Sequence, residues 1–145
     1  MSGGATKLYT AEVLGLATRL AGYPLDPNAP HQGSARSASC GSSLSLSLML
    51  DKAGHIAALG IAAQACAVGQ ASAAIFADAA LGKSASDIAE AQAALSSWLA
   101  GDGEFPAWPG LESIAAARDY PGRHGAILLP WRAALQALCE SPSAG

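Results

Sequence analysis

The sequence predicts an α+β fold in which several helices pack on a small antiparallel sheet. Two observations carry the prediction. Leu44, Leu46, Leu48 and Leu50 alternate with Ser43, Ser45 and Ser47, a period of two with one apolar and one polar face. Beyond that strand, much of the 51% hydrophobic content is alanine, which favours helix and buries little area per residue. A length of 145 residues sets a single domain, 1–145, with 1–7 and 140–145 read as flexible ends.

Taken in order, Thr10 is placed to cap a first helix whose Val13, Leu16, Ala17 and Leu20 recur at helical spacing. Gly22-Tyr23-Pro24 ends it. Residues 24–38 are rich in Pro, Gly, Ser and Asn and read as a loop, with room for a short edge strand near its end. After the Leu/Ser strand, Asp51-Lys52-Ala53-Gly54 has turn chemistry. The chain then returns from His55 to Ala65, with Leu59 and Ile61 on one face. A small-residue helix follows from Cys66 to Leu81. Ser84-Ala85-Ser86-Asp87 resembles a capping box. It opens a helix presenting Ile88, Ala91, Leu95 and Trp98 on one side. Residues 101–106 form a loop, and Pro109 is placed as the first residue of a helix reaching Ala117. The last helix holds Trp131, Leu135 and Leu138. A start near Ala126 would place Pro130 in or just past the first turn; an earlier start would put it where it kinks a helix.

The composition excludes some functions. A net charge of −3 without basic clusters argues against a nucleic-acid partner, which rewards concentrated positive charge. No basic segment followed by an apolar run opens the chain, so no signal peptide is expected. Residues 61–77 are uncharged but rich in Ala, Gly, Ser and Gln, which predicts a buried element rather than a membrane span. Three cysteines are an odd number without disulfide-framework spacing, which suits a reducing cytoplasm.

The hairpin gives the chain a candidate site. Cys40 lies just before its first strand and Cys66 just after its second, so the topology brings both to one end of the sheet. Cys66 also opens a helix, where free N–H groups and the dipole favour a thiolate. Gly41 permits close approach to Cys40. His124, just before the last helix, is a third candidate ligand. Cys, Cys and His form a soft set suited to zinc or iron. The same two cysteines would also serve as small apolar core residues. Cys139, beside the tail, is structural or incidental. His31 and His55 read as solvated. No G-x-S-x-G elbow and no phosphate-binding glycine loop is present.

At the level of motifs, the chain resembles the U-type iron–sulfur cluster scaffolds, the family of IscU, SufU and the N-terminal part of NifU. The similarity runs from Leu8-Tyr9 through Ser39-Cys40-Gly41, Gln64-Ala65-Cys66 with its following helix, Gly82-Lys83-Ser84, Tyr120-Pro121-Gly122-Arg123 and Trp131-Arg132-Ala133. The resemblance implies an α+β domain with a three-stranded antiparallel β-sheet and about four to five α-helices, mostly on one face. It also implies a scaffold that is not an enzyme. Such a scaffold binds iron, zinc or a transient Fe–S cluster and accepts sulfur from a cysteine desulfurase at Cys40 or Cys66. Fe–S acceptor proteins would be further partners, and a homodimer is compatible. The departures are specific. The family's Cys-Gly-Asp is Cys40-Gly41-Ser42 here, leaving Ser42 as a weak oxygen ligand. Aligning Trp131-Arg132-Ala133 puts Ala126 in place of the third cysteine, with His124 two residues before it. The alternative is therefore a degenerate paralogue acting as a non-metal adaptor or regulatory module. A zinc hydrolase would need a general base, and no acid is suitably placed in the sequence.

Overall fold

The computed structural model describes residues 10–38 and 41–139. Helix α1, Ala11–Arg19, is capped by Thr10, whose hydroxyl accepts the Val13 N–H at 3.1 Å, and runs into a 3-10 turn over Leu20–Gly22. Three strands follow: β1 (His31–Arg36), β2 (Ser43–Leu50) and β3 (Ile56–Gln64). They form one antiparallel sheet in the order β1-β2-β3. Helix α2 is Ala67–Ala80, α3 is Ala85–Leu99 and α4 is His124–Cys139, with a 3-10 segment over Leu111–Asp119 between the last two. The expected sheet and helix set is thus present, and the short strand anticipated near the end of the 24–38 loop is β1. The ends, 1–7 and 140–145, lie outside the described residues.

Alternation in β2 places Leu44, Leu46 and Leu48 in the core, each at most 2% exposed. Burying a leucine side chain is worth about 1.5–3 kcal/mol. Helix α4 packs on β1 and β2, α2 packs on β3 and α4, and α1 packs on α2. Gly33 of β1 is a required close approach: a Cβ there would overlap the Ala133 carbonyl of α4. Side chains of α4 also serve the free edge of β1. Gln136 Oε1 accepts the Ser34 N–H at 2.6 Å, and Arg132 donates to the Arg36 carbonyl at 3.4 Å. Three aromatic rings close the core. Phe76 stacks on Trp108 at 5.4 Å, and Trp131 stands edgewise to both.

The structure departs from the sequence expectations in three places and decides a fourth that the sequence leaves open, the start of the last helix. Ser47 is buried rather than on a bare outer face, because the segment after α1 crosses the sheet there. The Ser47 hydroxyl accepts the Asp26 N–H at 3.0 Å, and a Cβ on Gly60, its cross-strand partner, would overlap the Pro24 carbonyl. His31 lies in β1 rather than a solvated loop, and its Nδ1 is buried with no hydrogen-bond partner among the described residues. Pro109 does not open an α-helix. Gly110 adopts φ +94°, outside helical space, so the 3-10 segment starts at Leu111 and breaks at Ile114, where φ is −116°. Helix α4 begins at His124, so Pro130 lies well inside it and removes the N–H that would serve the Ala126 carbonyl.

Candidate functional site

The pairing register builds one end of the sheet from four short pieces of chain. Ser43 pairs with Gln64, and Arg36 pairs with Ser43. Ser42 therefore precedes, and Cys66 follows, a directly paired position. The β1–β2 connection closes through backbone bonds from Ser37 N–H to the Ser42 carbonyl at 2.8 Å and from Gly41 N–H to the Ser37 carbonyl at 2.9 Å. Gly41 has φ +71°, the left-handed region that glycine reaches without strain. Cys40, with Ser39, lies outside the described residues, and so does the separation expected between the two thiols.

Cys66 is the N-cap of α2, with extended backbone at φ −66° and ψ 171°, and its side chain makes no capping bond. It is a free thiol of intermediate exposure. Within the first turn of α2, Gly69 is fully packed. The position a Cβ would take there lies 2.8 Å from Ala65 Cβ, 3.2 Å from Ala126 Cβ and 3.8 Å from Cys66 Sγ. One point in space thus touches both the Cys66 thiol and the methyl group of Ala126. The head of α4 is pressed onto the first turn of α2, and Ala126, fully buried, is the residue that faces Cys66 across Gly69. The two helices are also joined by the Ser72 hydroxyl, which donates to the Ile127 carbonyl at 2.7 Å.

His124 opens α4 two residues before Ala126, which separates the two by about 200° around the axis. Its Nε2–H donates to the Arg118 carbonyl at 2.7 Å, leaving Nδ1 as the nitrogen with a lone pair. Arg118 in turn donates to the Trp98 carbonyl at 2.9 Å and lies over the Trp98 ring at 5.1 Å. The His124 ring is thereby fastened to the 3-10 segment, whose Arg118 reaches Trp98 of α3, while Ala126 faces Cys66. Ser42 is 4% exposed and engaged in the loop closure. Cys139 is exposed at the end of α4.

The residue that sequence reasoning passed over is Gly69. Its signal was available: glycine inside a helix costs about 1 kcal/mol relative to alanine, so its presence marks a close approach. Among the described residues no group of three His, Cys, Asp or Glu side chains is placed to hold a metal ion. Tested against a three-thiolate cluster, the described residues do not fit. A methyl, that of Ala126, stands across Gly69 from Cys66, and the histidine has one ring nitrogen already bonded. Thiolates hold such clusters far better than hydroxyls, so Ser42 does not restore the set.

The fold itself has clear counterparts. The chain is similar to the N-terminal part of a nitrogen-fixing NifU-like protein from Brucella abortus, with a TM-score of 0.84 and 23% identity, over 93% of this chain and 94% of that one. It is also similar to a protein from thermophilic Fervidobacterium islandicum assigned as an iron–sulfur cluster assembly scaffold for the SUF system. That TM-score is 0.79 with 21% identity, over 90% and 96% of the two chains. A third structure, of a hypothetical protein, matches with a TM-score of 0.66 and 19% identity, over 88% and 97%. At these identities the likeness establishes the fold. No family model and no curated protein matches the chain. Among the described residues no helix is long and apolar enough to cross a membrane, and residues 61–77 divide between the end of β3 and α2.

Proposed function

We propose that this chain is a non-catalytic adaptor on the iron–sulfur scaffold fold, one that presents the Cys66 thiol to a partner without holding a cluster of its own. The observation that supports the reading most is Ala126 packed against Gly69 beside Cys66. The head of α4 keeps the place of a ligand and lacks the ligand atom. The partner that fits such a module is a cysteine desulfurase, with Fe–S acceptor proteins as the downstream class. The deciding experiment is anaerobic reconstitution with iron and sulfide, measuring iron and sulfide per chain and the visible spectrum. Wild type is expected to give little cluster absorbance. Ala126→Cys should give clearly more, and Ala126→Cys with Ser42→Asp the most. A full, durable cluster on wild type would overturn the adaptor reading. Unchanged loading of a folded double variant would mean that the cage shape itself is lost.

A second reading is supported by the exposure of Cys66 at a helix N-terminus. A thiol so placed accepts sulfur when, on losing its proton, it attacks the terminal sulfur of a desulfurase persulfide: the S–S bond breaks, and the desulfurase leaves as thiolate. A persulfide then resides on Cys66, and no external oxidant is needed. Incubation with a desulfurase and free cysteine, followed by intact mass measurement, should add one sulfur to wild type and none to Cys66→Ser. Equal labelling of Cys66→Ser would move the acceptor to another thiol.

A further inference from the structure

Two exposed arginines meet at the rim of the Cys66 site, on the β1 edge of the sheet. Arg36 ends β1, and Arg132 stands on α4 against that strand, its Nη1 donating to the Arg36 carbonyl at 3.4 Å. Neither guanidinium has a carboxylate partner among the described residues. The pairing register says where this corner lies. Arg36 pairs with Ser43 and Ser43 with Gln64, one row across the sheet. Neighbouring strands are about 4.8 Å apart, so the Arg36 backbone is about 10 Å from that of Gln64. Cys66 follows Gln64 by two residues. Arg132 lies six residues past Ala126, a helical rise of about 9 Å, and Ala126 faces Cys66 across Gly69.

The corner runs against the charge of the chain, which is −3. The acids are engaged or placed elsewhere. Asp78 pairs with Arg19, Asp87 caps α3, and Asp51 accepts N–H groups of the turn at the far end of β2. Asp26 lies over Ser47, four positions along β2 from Ser43, about 13 Å away. Asp102 and Glu104 follow α3, a helix that packs on α4 rather than on the sheet. Asp119, ahead of α4, stands in the chain between Arg118 and Arg123. Adjacent guanidiniums suit carboxylates, whose two oxygens match the planar fork of N–H groups. Both side chains are exposed, so the carboxylates they suit are those on the surface of another protein.

We propose that the Arg36–Arg132 corner receives an acidic segment of the protein whose sulfur meets Cys66. The inference deepens the adaptor reading and rests on it only in taking Cys66 as the meeting point. Charge complementarity of this kind orients a partner and speeds its arrival more than it tightens the complex.

The test measures arrival at the thiol. Two peptides of equal length carry one cysteine activated as its 2-thiopyridyl disulfide, flanked by glutamates in one and by lysines in the other. The Cys66 thiolate attacks the cysteine sulfur of the peptide, the old S–S bond breaks, and pyridine-2-thiolate leaves and is read by absorbance. Mass measurement of the digested chain follows Cys66 separately from the other thiols. At about 0.01 M salt, where charges act over about 30 Å, the glutamate peptide should react with Cys66 about fivefold faster than the lysine peptide, the scale of an exposed ion pair. At about 1 M salt the ratio should close toward one. Arg36→Gln with Arg132→Gln should close it at low salt too, and Arg36→Lys with Arg132→Lys should keep most of it. Both peptides meet the same thiol, so the ratio cancels any change in the reactivity of Cys66 itself. A lysine peptide as fast as the glutamate peptide overturns the proposal. So does a preference that survives the glutamine pair or high salt. Sedimentation at low salt checks the other occupant: self-association abolished by the glutamine pair would assign the corner to a second copy of the chain instead. The adaptor reading fails on its own measurement, cluster loading, which does not enter this ratio.

Discussion

The two ends of α2 are built on different principles. At its start, Gly69 lets Ala65, Cys66 and Ala126 converge on one point, so that end is held by the fit of small atoms. At its finish the chain is held by directed bonds. Gly82 turns at φ +85° and donates to the Ile56 carbonyl at 2.8 Å, while Ile56 N–H donates to the Lys83 carbonyl at 2.9 Å. Ser84 and Asp87 then cap α3 reciprocally, and Trp108 is pinned to Ile75. An end that depends on fit is damaged by added volume. An end that depends on bonds and a buried ring is damaged by removing them.

The largest expected effect is at the second end. Trp108 is 6% exposed, stacks on Phe76 and meets Trp131 at 5.3 Å. Trp108→Ala removes that stack and the bond to Ile75, and should cost about 3–5 kcal/mol. Denaturant unfolding measures it. A loss under about 1 kcal/mol would mean that the aromatic trio does not anchor this end. The opposite end should respond to the opposite change. Gly69→Val places carbon atoms against Ala65 and Ala126 and should cost about 1–3 kcal/mol by overpacking. If the α4 head moves to relieve the clash, the distance from Cys66 to residue 126 grows. Combining Gly69→Val with Ala126→Cys should then abolish any cluster gain of Ala126→Cys alone. Retained loading in the combination would show that contact at Gly69 does not position residue 126.

The same contrast explains what could be seen in the sequence. The second end was legible because its devices are local: Ser84 and Asp87 stand three apart, and Gly82 follows an apolar run. The hairpin was legible for the same reason, through the Leu/Ser period and the turn at Asp51. The first end depends on residues far apart in the chain. That Ala126 takes the place of a third cysteine came only from an alignment of Trp131-Arg132-Ala133 with a family pattern, and its contact with Gly69 was not foreseen. Ser47 defeated the alternation rule because its cover, the Pro24–Asp26 segment, is more than twenty residues away. The 3-10 segment defeated the proline rule because Gly110, directly after Pro109, takes a conformation that ends a helix rather than starting one.

The smallest effect expected concerns acid, and it belongs to the bonded end. The Asp87 carboxyl is held below its ordinary value, first by the Ser84 backbone N–H and then by the Ser84 hydroxyl, with Lys83 and His55 adding attraction. Asp51, in the hairpin turn, is lowered chiefly by the His55 backbone N–H. A carboxyl lowered in the folded state stabilises the fold above the unfolded value, near 3.9. That contribution is lost as pH falls through the lowered folded value. Ser84→Ala should cost about 1 kcal/mol at neutral pH by removing the cap. Asp87→Asn should cost less at pH 7 and should flatten the decline in stability on acidification below about pH 4. The difference between wild type and Asp87→Asn should therefore shrink as the pH drops, because protonation removes from wild type what the substitution removed already. Equilibrium unfolding from pH 7 to pH 2.5 reads this directly. Two curves that stay parallel throughout would show that the Asp87 carboxylate is not bonded to the head of α3 in solution, and the bonded end would lose one of the devices that distinguishes it.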